Sequence, residues 1–277
     1  MTRDNDRVTT EYTGGGDPRR SMELLWGLQE RGRRGPKPRF SVAEIARAAI
    51  EIADTEGLAA LSMRRVADRL GITAMSLYTY VPGKAELLDV MLDTVCSELP
   101  DGDPGERDHA DGDGWRVALE RIARDNRALY LRHPWLLHVV TSRPPLGPHL
   151  IAKYDRELRA VDGIGLTDVE MDLVLQLVLD YVHGSVRAAV ESGPTGRQNE
   201  MSDAQWWESY APLLEKVLDP DRYPLAVRVG AAAGEEYGAA VDPDRSFEFG
   251  LQRVLDGIAV LVRSRAPGET RATPEES

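Results

Sequence analysis

The chain is predicted to be all-α, and three observations predict it. Apolar residues recur at helical spacing along most of the sequence. Capping boxes stand directly before apolar runs at Ser41–Glu44, Thr167–Glu170 and Ser202–Gln205. No stretch alternates apolar and polar residues as a half-buried strand would.

Taken in order, residues 1–20 are polar and Gly-rich, so residues 1–40 are expected to form a flexible N-terminal extension. Within it, Leu24, Leu25, Trp26 and Leu28 predict a short helix over Ser21–Arg31. The segment from Arg31 to Phe40 is expected to be an extended basic arm, because Gly35, Pro36 and Pro38 break any helix. Behind the box at Ser41, the stripe Val42, Ile45, Ala46, Ala49, Ile50 and Ala53 marks a first long helix, with Gly57 suited to a left-handed stop. Ser62 caps a second helix, Ser62–Leu70, with Val66, Ala67 and Leu70 inward. Gly71-Ile72 makes a tight turn, and Thr73–Tyr80 reads as a short third helix. Two short helices around a Gly-containing turn are the sequence form of a helix-turn-helix, whose second helix enters the DNA major groove. A fourth helix begins near Lys84 and buries Leu87, Leu88, Met91, Leu92 and Val95, so the DNA-binding domain with its connecting helix spans 41–99.

The Gly/Pro-rich acidic stretch 100–114 reads as a domain boundary. A larger helical domain over 115–265 follows. Its helices are expected at Trp115–Leu131, Pro134–Thr141, Leu146–Val161, Asp168–Glu191 and from Asp203 to about Leu218. Residues 219–243 read as irregular, Asp242-Pro243 opens a final helix through Arg263, and 266–277 is a loose tail.

Composition narrows the class. At 277 residues the chain fits about two domains of ~100–200 residues each. The single cysteine, Cys96, excludes an intramolecular disulfide and fits a cytoplasmic location and a small apolar core role. The polar N-terminus lacks a signal-peptide core, and no long uninterrupted apolar run predicts a membrane span. A net charge of −12 looks unsuited to DNA, but its distribution answers the objection. Arg19–Arg39 holds seven basic residues against two acidic, whereas 100–277 holds 20 basic and 31 acidic. The basic arm therefore sits directly before the reading head, on an otherwise acidic body.

The run LSMRRVADRLGITAMSLYTYV, followed by Pro-Gly-Lys into the fourth helix, resembles the TetR family of transcriptional regulators, and FEFGLQRVLDGIAVLV (247–262) is similar to the last helix of the tetracycline-repressor-type C-terminal domain. The resemblance implies DNA contacts at Arg64, Thr73, Ala74, Met75, Ser76, Tyr78, Tyr80 and Lys84. The residue chemistry agrees. Thr73 and Ser76 can hydrogen-bond base edges, and Ala74 and Met75 offer apolar contact to a thymine methyl. Tyr78, Tyr80, Lys84, Ser62 and Arg64 suit phosphate oxygens. Arg33, Arg34, Lys37 and Arg39 suit the backbone or a minor groove, or serve as a solvated linker. Leu77 reads as core.

The resemblance further implies a homodimer through a four-helix bundle, with Val178, Val182, Phe247, Leu251, Val254, Leu255, Ile258 and Leu261 at the interface. An intramolecular core explains the same apolar face, in which Gly250 and Gly257 allow close helix approach. It also implies a pocket for a small-molecule effector. Asp172, Gln176, Asp180, His183, Arg187 and Glu191 fall in one arc of the long helix. Gln176, Asp180 and His183 suit ligand binding there, and a solvent face or intersubunit polar seam explains the arc equally. His138, after the break at His133-Pro134-Trp135, is a further ligand candidate. So is Trp206, since of the adjacent Trp206 and Trp207 at most one faces a given cavity.

An enzyme is disfavoured. The five histidines form no H-E-x-x-H pair, and no dinucleotide, P-loop or nucleophile-elbow motif is present. No catalytic residue, metal or cofactor is expected. The expected partners are a double-stranded, pseudo-palindromic DNA operator, a second copy of the chain and an unidentified small molecule, without a membrane. A DNA-binding dimer controlled by a partner protein, or by no effector, is the alternative.

Overall fold

The computed structural model describes residues 10–28, 39–100, 114–140, 143–193 and 201–265. Among them are eleven α-helices: α1 (Pro18–Leu25), α2 (Val42–Glu56), α3 (Met63–Leu70), α4 (Ala74–Tyr78), α5 (Lys84–Cys96), α6 (Gly114–Arg132), α7 (Pro148–Leu158), α8 (Asp168–Ser192), α9 (Asp203–Val217), α10 (Pro224–Tyr237) and α11 (Pro243–Arg265). Two residue pairs form a minimal parallel ladder, β1 (Glu11–Tyr12) against β2 (Val139–Val140), in register Glu11 to Val139. The protein is all-α, with a helix-turn-helix domain preceding a larger helical body. The arm residues Arg33, Arg34 and Lys37, most of the 100–114 boundary and the 266–277 tail lie outside the described residues.

All three capping boxes form. Ser41, Thr167 and Ser202 accept from the backbone N–H three residues on, and Glu44, Glu170 and Gln205 reach back to the cap. Gly57 ends α2 with φ 82°, a conformation open to glycine but costly for other residues. The head packs α2, α3, α4 and α5 around Ile45, Ile52, Val66, Leu77, Leu87, Leu88 and Met91, and burial of each such side chain is worth roughly 1.5–3 kcal/mol. This core does not stop at the head. Leu129, Trp135, Leu136 and Val139 of the body, and Leu24 of α1, belong to the same cluster. A second cluster joins Trp115, Leu119 and Ile122 of α6 to Leu175, Val178 and Val182 of α8 and to Phe247, Leu251, Leu255 and Ile258 of α11. Partly buried Tyr130 packs against both clusters.

Several expectations are corrected. Residues 10–28 are not a loose extension. β1 pairs with the body, and α1 begins at Pro18, capped by Asp17, rather than at Ser21. The third helix stops at Tyr78, because the N–H groups of Thr79 and Tyr80 bond to carbonyls three residues back and Pro82 follows. Pro134–His138 is a 3₁₀ turn that runs directly into β2. The stretch 219–243 holds α10. Pro224 occupies its first turn, Gly234 leaves room for the Trp207 ring, and Gly238 closes it in the left-handed region. Cys96 and Leu77 are buried as expected. By length and composition α8 suits a bilayer, yet its buried residues pack against α6 and α11.

Polar contacts join head to body. His133, buried, places Nδ1 2.8 Å from Asp54 Oδ1 on α2 and Nε2 3.1 Å from Glu98 Oε2 beyond α5, and Trp135 Nε1 donates to Asp54 at 2.9 Å. α7 has no cap of its own, so Asp93 of α5 accepts the Leu150 N–H at 2.8 Å and fits where only Gly147 leaves room. Burial works to raise the Glu98 carboxyl, but hydrogen bonds from His133 and Arg132 outweigh it and hold the pKa below 4.5. A folded pKa below the unfolded one contributes stability that is present above pH 4.5 and lost as pH falls through the folded value. Glu98→Gln should therefore flatten the stability–pH curve below that point. Unfolding curves of both proteins from pH 7 to pH 2 that stay parallel would contradict this.

Candidate nucleic-acid interface

The reading head is built from its turn outward. Gly71 takes φ 65° and ψ 38°, and the Ile72 N–H returns to the Ala67 carbonyl at 3.0 Å, so α3 ends sharply and α4 starts within three residues. Fully buried Leu77 anchors α4. The opposite side of α4 is open: Met75 is 78% exposed, and Ser76 and Tyr78 also face solvent. Thr73 caps α4, accepting the Ser76 N–H at 3.2 Å, and its hydroxyl lies 2.9 Å from Ser76 Oγ, so the two hydroxyls orient each other. Ala74 is partly buried against the head's core.

Around this helix, Ser62 caps α3 through the Arg65 N–H. Arg65 and Arg69 are tied back to Glu56 and Glu51 on α2. Arg64 instead points into solvent, with Asp68 at 4.0 Å. The Tyr80 hydroxyl accepts the Arg39 N–H at 3.2 Å, which brings the end of the basic arm to the reading head, and the Arg39 guanidinium lies over Phe40. Lys84 Nζ donates to Glu11 Oε1 at 2.7 Å. That acidic partner was not legible in the sequence, because 73 residues separate the two.

The five ligand candidates do not converge. Gln176 donates to Asp180 at 2.6 Å on the exposed face of α8. His183, on that face, meets the edge of Tyr130 at 5.5 Å. His138 is half-buried; burial, then nearby Arg187, lowers its pKa, while Glu191 opposes them. Trp206 stacks on Tyr210 at 4.6 Å on α9, which buries no residue. A cleft of about 560 Å³ between α1, α2, α5 and the start of α7 is lined by Leu25, Phe40, Tyr80 and His149, and by none of the five. Sequence reasoning missed Tyr130, whose hydroxyl pKa burial pushes up to about 12. A lone Tyr in an apolar helical face carries no signal of that position.

Six of the eight expected interface residues face inward. Val178, Val182, Phe247, Leu251, Leu255 and Ile258 are buried inside the subunit, and Val254 and Leu261 pack partly against that core. Their periodicity is satisfied by α6, α8 and α11 of one chain. The exposed large apolar residues of these helices are instead Val117 and Leu131 on α6, Val169, Leu173 and Leu177 on α8, and Phe249 and Val260 on α11.

A short, open helix set after a glycine turn, on a helical body, defines a helix-turn-helix DNA-binding protein. The chain belongs to the TetR family of transcriptional regulators. The family description "Bacterial regulatory proteins, tetR family" matches residues 45–91, and "Tetracyclin repressor-like, C-terminal domain" matches 109–262. The chain is 46% identical to the HTH-type transcriptional repressor DrrR1 of Streptomyces coeruleorubidus, over 93% of this chain and 91% of that protein. It is 26% identical to the class A tetracycline repressor of Escherichia coli, over 78% of this chain and 88% of that one. Among solved structures, apo ActR of Streptomyces coelicolor shares 27% identity with a TM-score of 0.66, covering 83% of this chain and all of that one. ActR bound to actinorhodin shares 26% with a TM-score of 0.64, covering 80% and 96%.

Thr73→Val should remove the α4 cap and cost about 1 kcal/mol of stability. A melting temperature equal to that of the unaltered protein would show that the cap contributes nothing.

Proposed function

We propose that the protein is a homodimeric repressor, released from a pseudo-palindromic operator by a small-molecule effector. The observation that carries this reading is the open face of α4, where Met75, Ser76 and Tyr78 stand clear of the core on a helix fixed by Leu77. The head spans 41–99 and the effector-binding body 115–265, with the basic arm ahead of them. Ser76, Thr73, Ala74 and Met75 read base edges. Arg39, Ser62, Arg64, Tyr78, Tyr80 and Lys84 hold phosphates and set the register. No residue has a catalytic role, and the protein works in the cytoplasm on DNA.

Two copies meet through the exposed faces of α8 and α11, around Leu173, Leu177, Phe249 and Val260. A two-fold dimer gives two reading helices one helical turn of DNA apart, which a two-fold-symmetric operator matches. No residue of α9 or α10 is fully buried within its own subunit, and they expose Trp206, Tyr210 and Leu225, so they complete the effector site against the second copy. Tyr130, His138, His183 and Arg187 form the polar side of that site. Effector binding favours a body conformation whose heads no longer match the operator, a coupling of roughly 1–3 kcal/mol. That ActR is seen with actinorhodin supports a small-molecule effector and makes actinorhodin and tetracyclines the first compounds to test.

The test is selection from a randomised duplex pool with sequencing of bound DNA at two salt concentrations. A two-fold-symmetric motif is expected, whose affinity an effector then reduces; salt-dependent binding without any motif would overturn the reading. With that operator in hand, Ser76→Ala should change base preference, whereas Tyr78→Phe should weaken operator and random DNA alike. Equal losses on both DNAs for Ser76→Ala would exclude its base-reading role. Leu177→Glu combined with Phe249→Glu should give monomers in sedimentation and cost operator affinity at least about tenfold, since a lone head keeps one half-site. A dimer that persists would place the interface elsewhere.

A further inference from the structure

Residues 1–20, polar and Gly-rich, read in the sequence as a flexible extension, yet residues 11–26 form a fitted strap across the head–body junction. Gly14 takes φ 64°, and its N–H bonds to Asp89 Oδ1 at 3.0 Å. Ser21 Oγ donates to Asp89 Oδ2 at 2.7 Å, and the Asp17 N–H reaches Glu86 Oε1 at 3.3 Å. Gly16 lies so close to the Glu86 carboxylate that a side chain there would displace it. On the body side, Thr13 Oγ1 donates to the Arg143 carbonyl at 3.2 Å and Trp26 Nε1 to the Leu146 carbonyl at 3.1 Å. Strand pairing fixes the remaining end, with Glu11 opposite Val139.

This anchoring determines where Glu11 stands. Its carboxylate is held 2.7 Å from Lys84 Nζ, and both side chains are about three-quarters and two-thirds covered, at 22% and 32% exposure. Lys84 is the first residue of α5, where the partial positive charge of a helix N-terminus disfavours a cation, so a carboxylate there is doubly favourable. A DNA phosphate approaching the same ammonium meets a fixed anion a few ångströms away, at a distance where like charges repel.

We propose that the strap is an autoinhibitory element: Glu11 occupies Lys84 in place of DNA phosphate and must be displaced for the head to bind with full affinity. The idea rests on the assignment of Lys84 as a phosphate contact. Because β1 is paired to β2, any movement of Val139–Val140 also moves Glu11, so the body controls how accessible Lys84 is.

The test is a double-mutant cycle on full-length protein, titrated with operator and with random duplex over a salt series. Glu11→Gln should tighten binding to both DNAs about two- to fivefold, the scale of one partly exposed ion pair. It should also steepen the salt dependence by about 0.9 in log–log slope, one phosphate contact. In a Lys84→Ala background, Glu11→Gln should have no effect. A Glu11→Gln gain that persists without Lys84 would reflect general charge and overturn the proposal, as would unchanged or weaker binding with Lys84 present. Lys84→Ala alone separates the two ideas. If it leaves affinity unchanged, the phosphate assignment fails, and if it weakens binding while Glu11→Gln changes nothing, the strap proposal alone fails.

Discussion

Three buried carboxylates on one side of α5 constrain everything around them. Glu86, Asp89 and Asp93 are at most 7% exposed, and a carboxylate without donors in such a place costs several kcal/mol. Each finds backbone N–H groups from outside the head: Asp17 for Glu86, Gly14 for Asp89, and Leu150 at the start of α7 for Asp93. Leu87, Leu88, Met91 and Val95 lie on the opposite side of the same helix, in the head's core. α5 is thus apolar toward the reading head and hydrogen-bonded toward the N-terminal strap and the body. A rigid helix with two such faces cannot turn without breaking contacts on both.

Local signals in the sequence were faithful. Capping boxes at Ser41, Thr167 and Ser202, the turn at Gly71 and the core role of Leu77 all depend on residues within four positions, and each forms as read. What depends on distant partners was opaque. The 3.6-residue periodicity of α11 identifies an apolar face but does not say whether α6 and α8 of the same chain or a second chain covers it. Phe247 and Leu251 therefore read as interface and are core, whereas Phe249 is the exposed residue. The stretch 219–243 was opaque in the same way. It read as irregular, yet it holds α10, where Gly234 leaves room for the Trp207 ring of α9.

The open face of α4 was the most legible part of the candidate site, because a helix-turn-helix is a local object. The ligand candidates were the least legible. Gln176, Asp180 and His183 share an arc of α8, yet that arc faces outward and a hydrogen bond between Gln176 and Asp180 already occupies part of it. Tyr130 has the more telling position, since it touches both apolar clusters and the His183 ring at once. A side chain in contact with both cores registers any change in their relative placement.

The α9–α10 hairpin contributes no residue to either core of its own subunit. Selection for folding therefore acts on it only weakly. Sequence change can accumulate there without eroding the stability that the head and the α6–α8–α11 core provide. If the effector site is completed there as proposed, relatives can diverge in what they bind while the helix-turn-helix head stays unchanged.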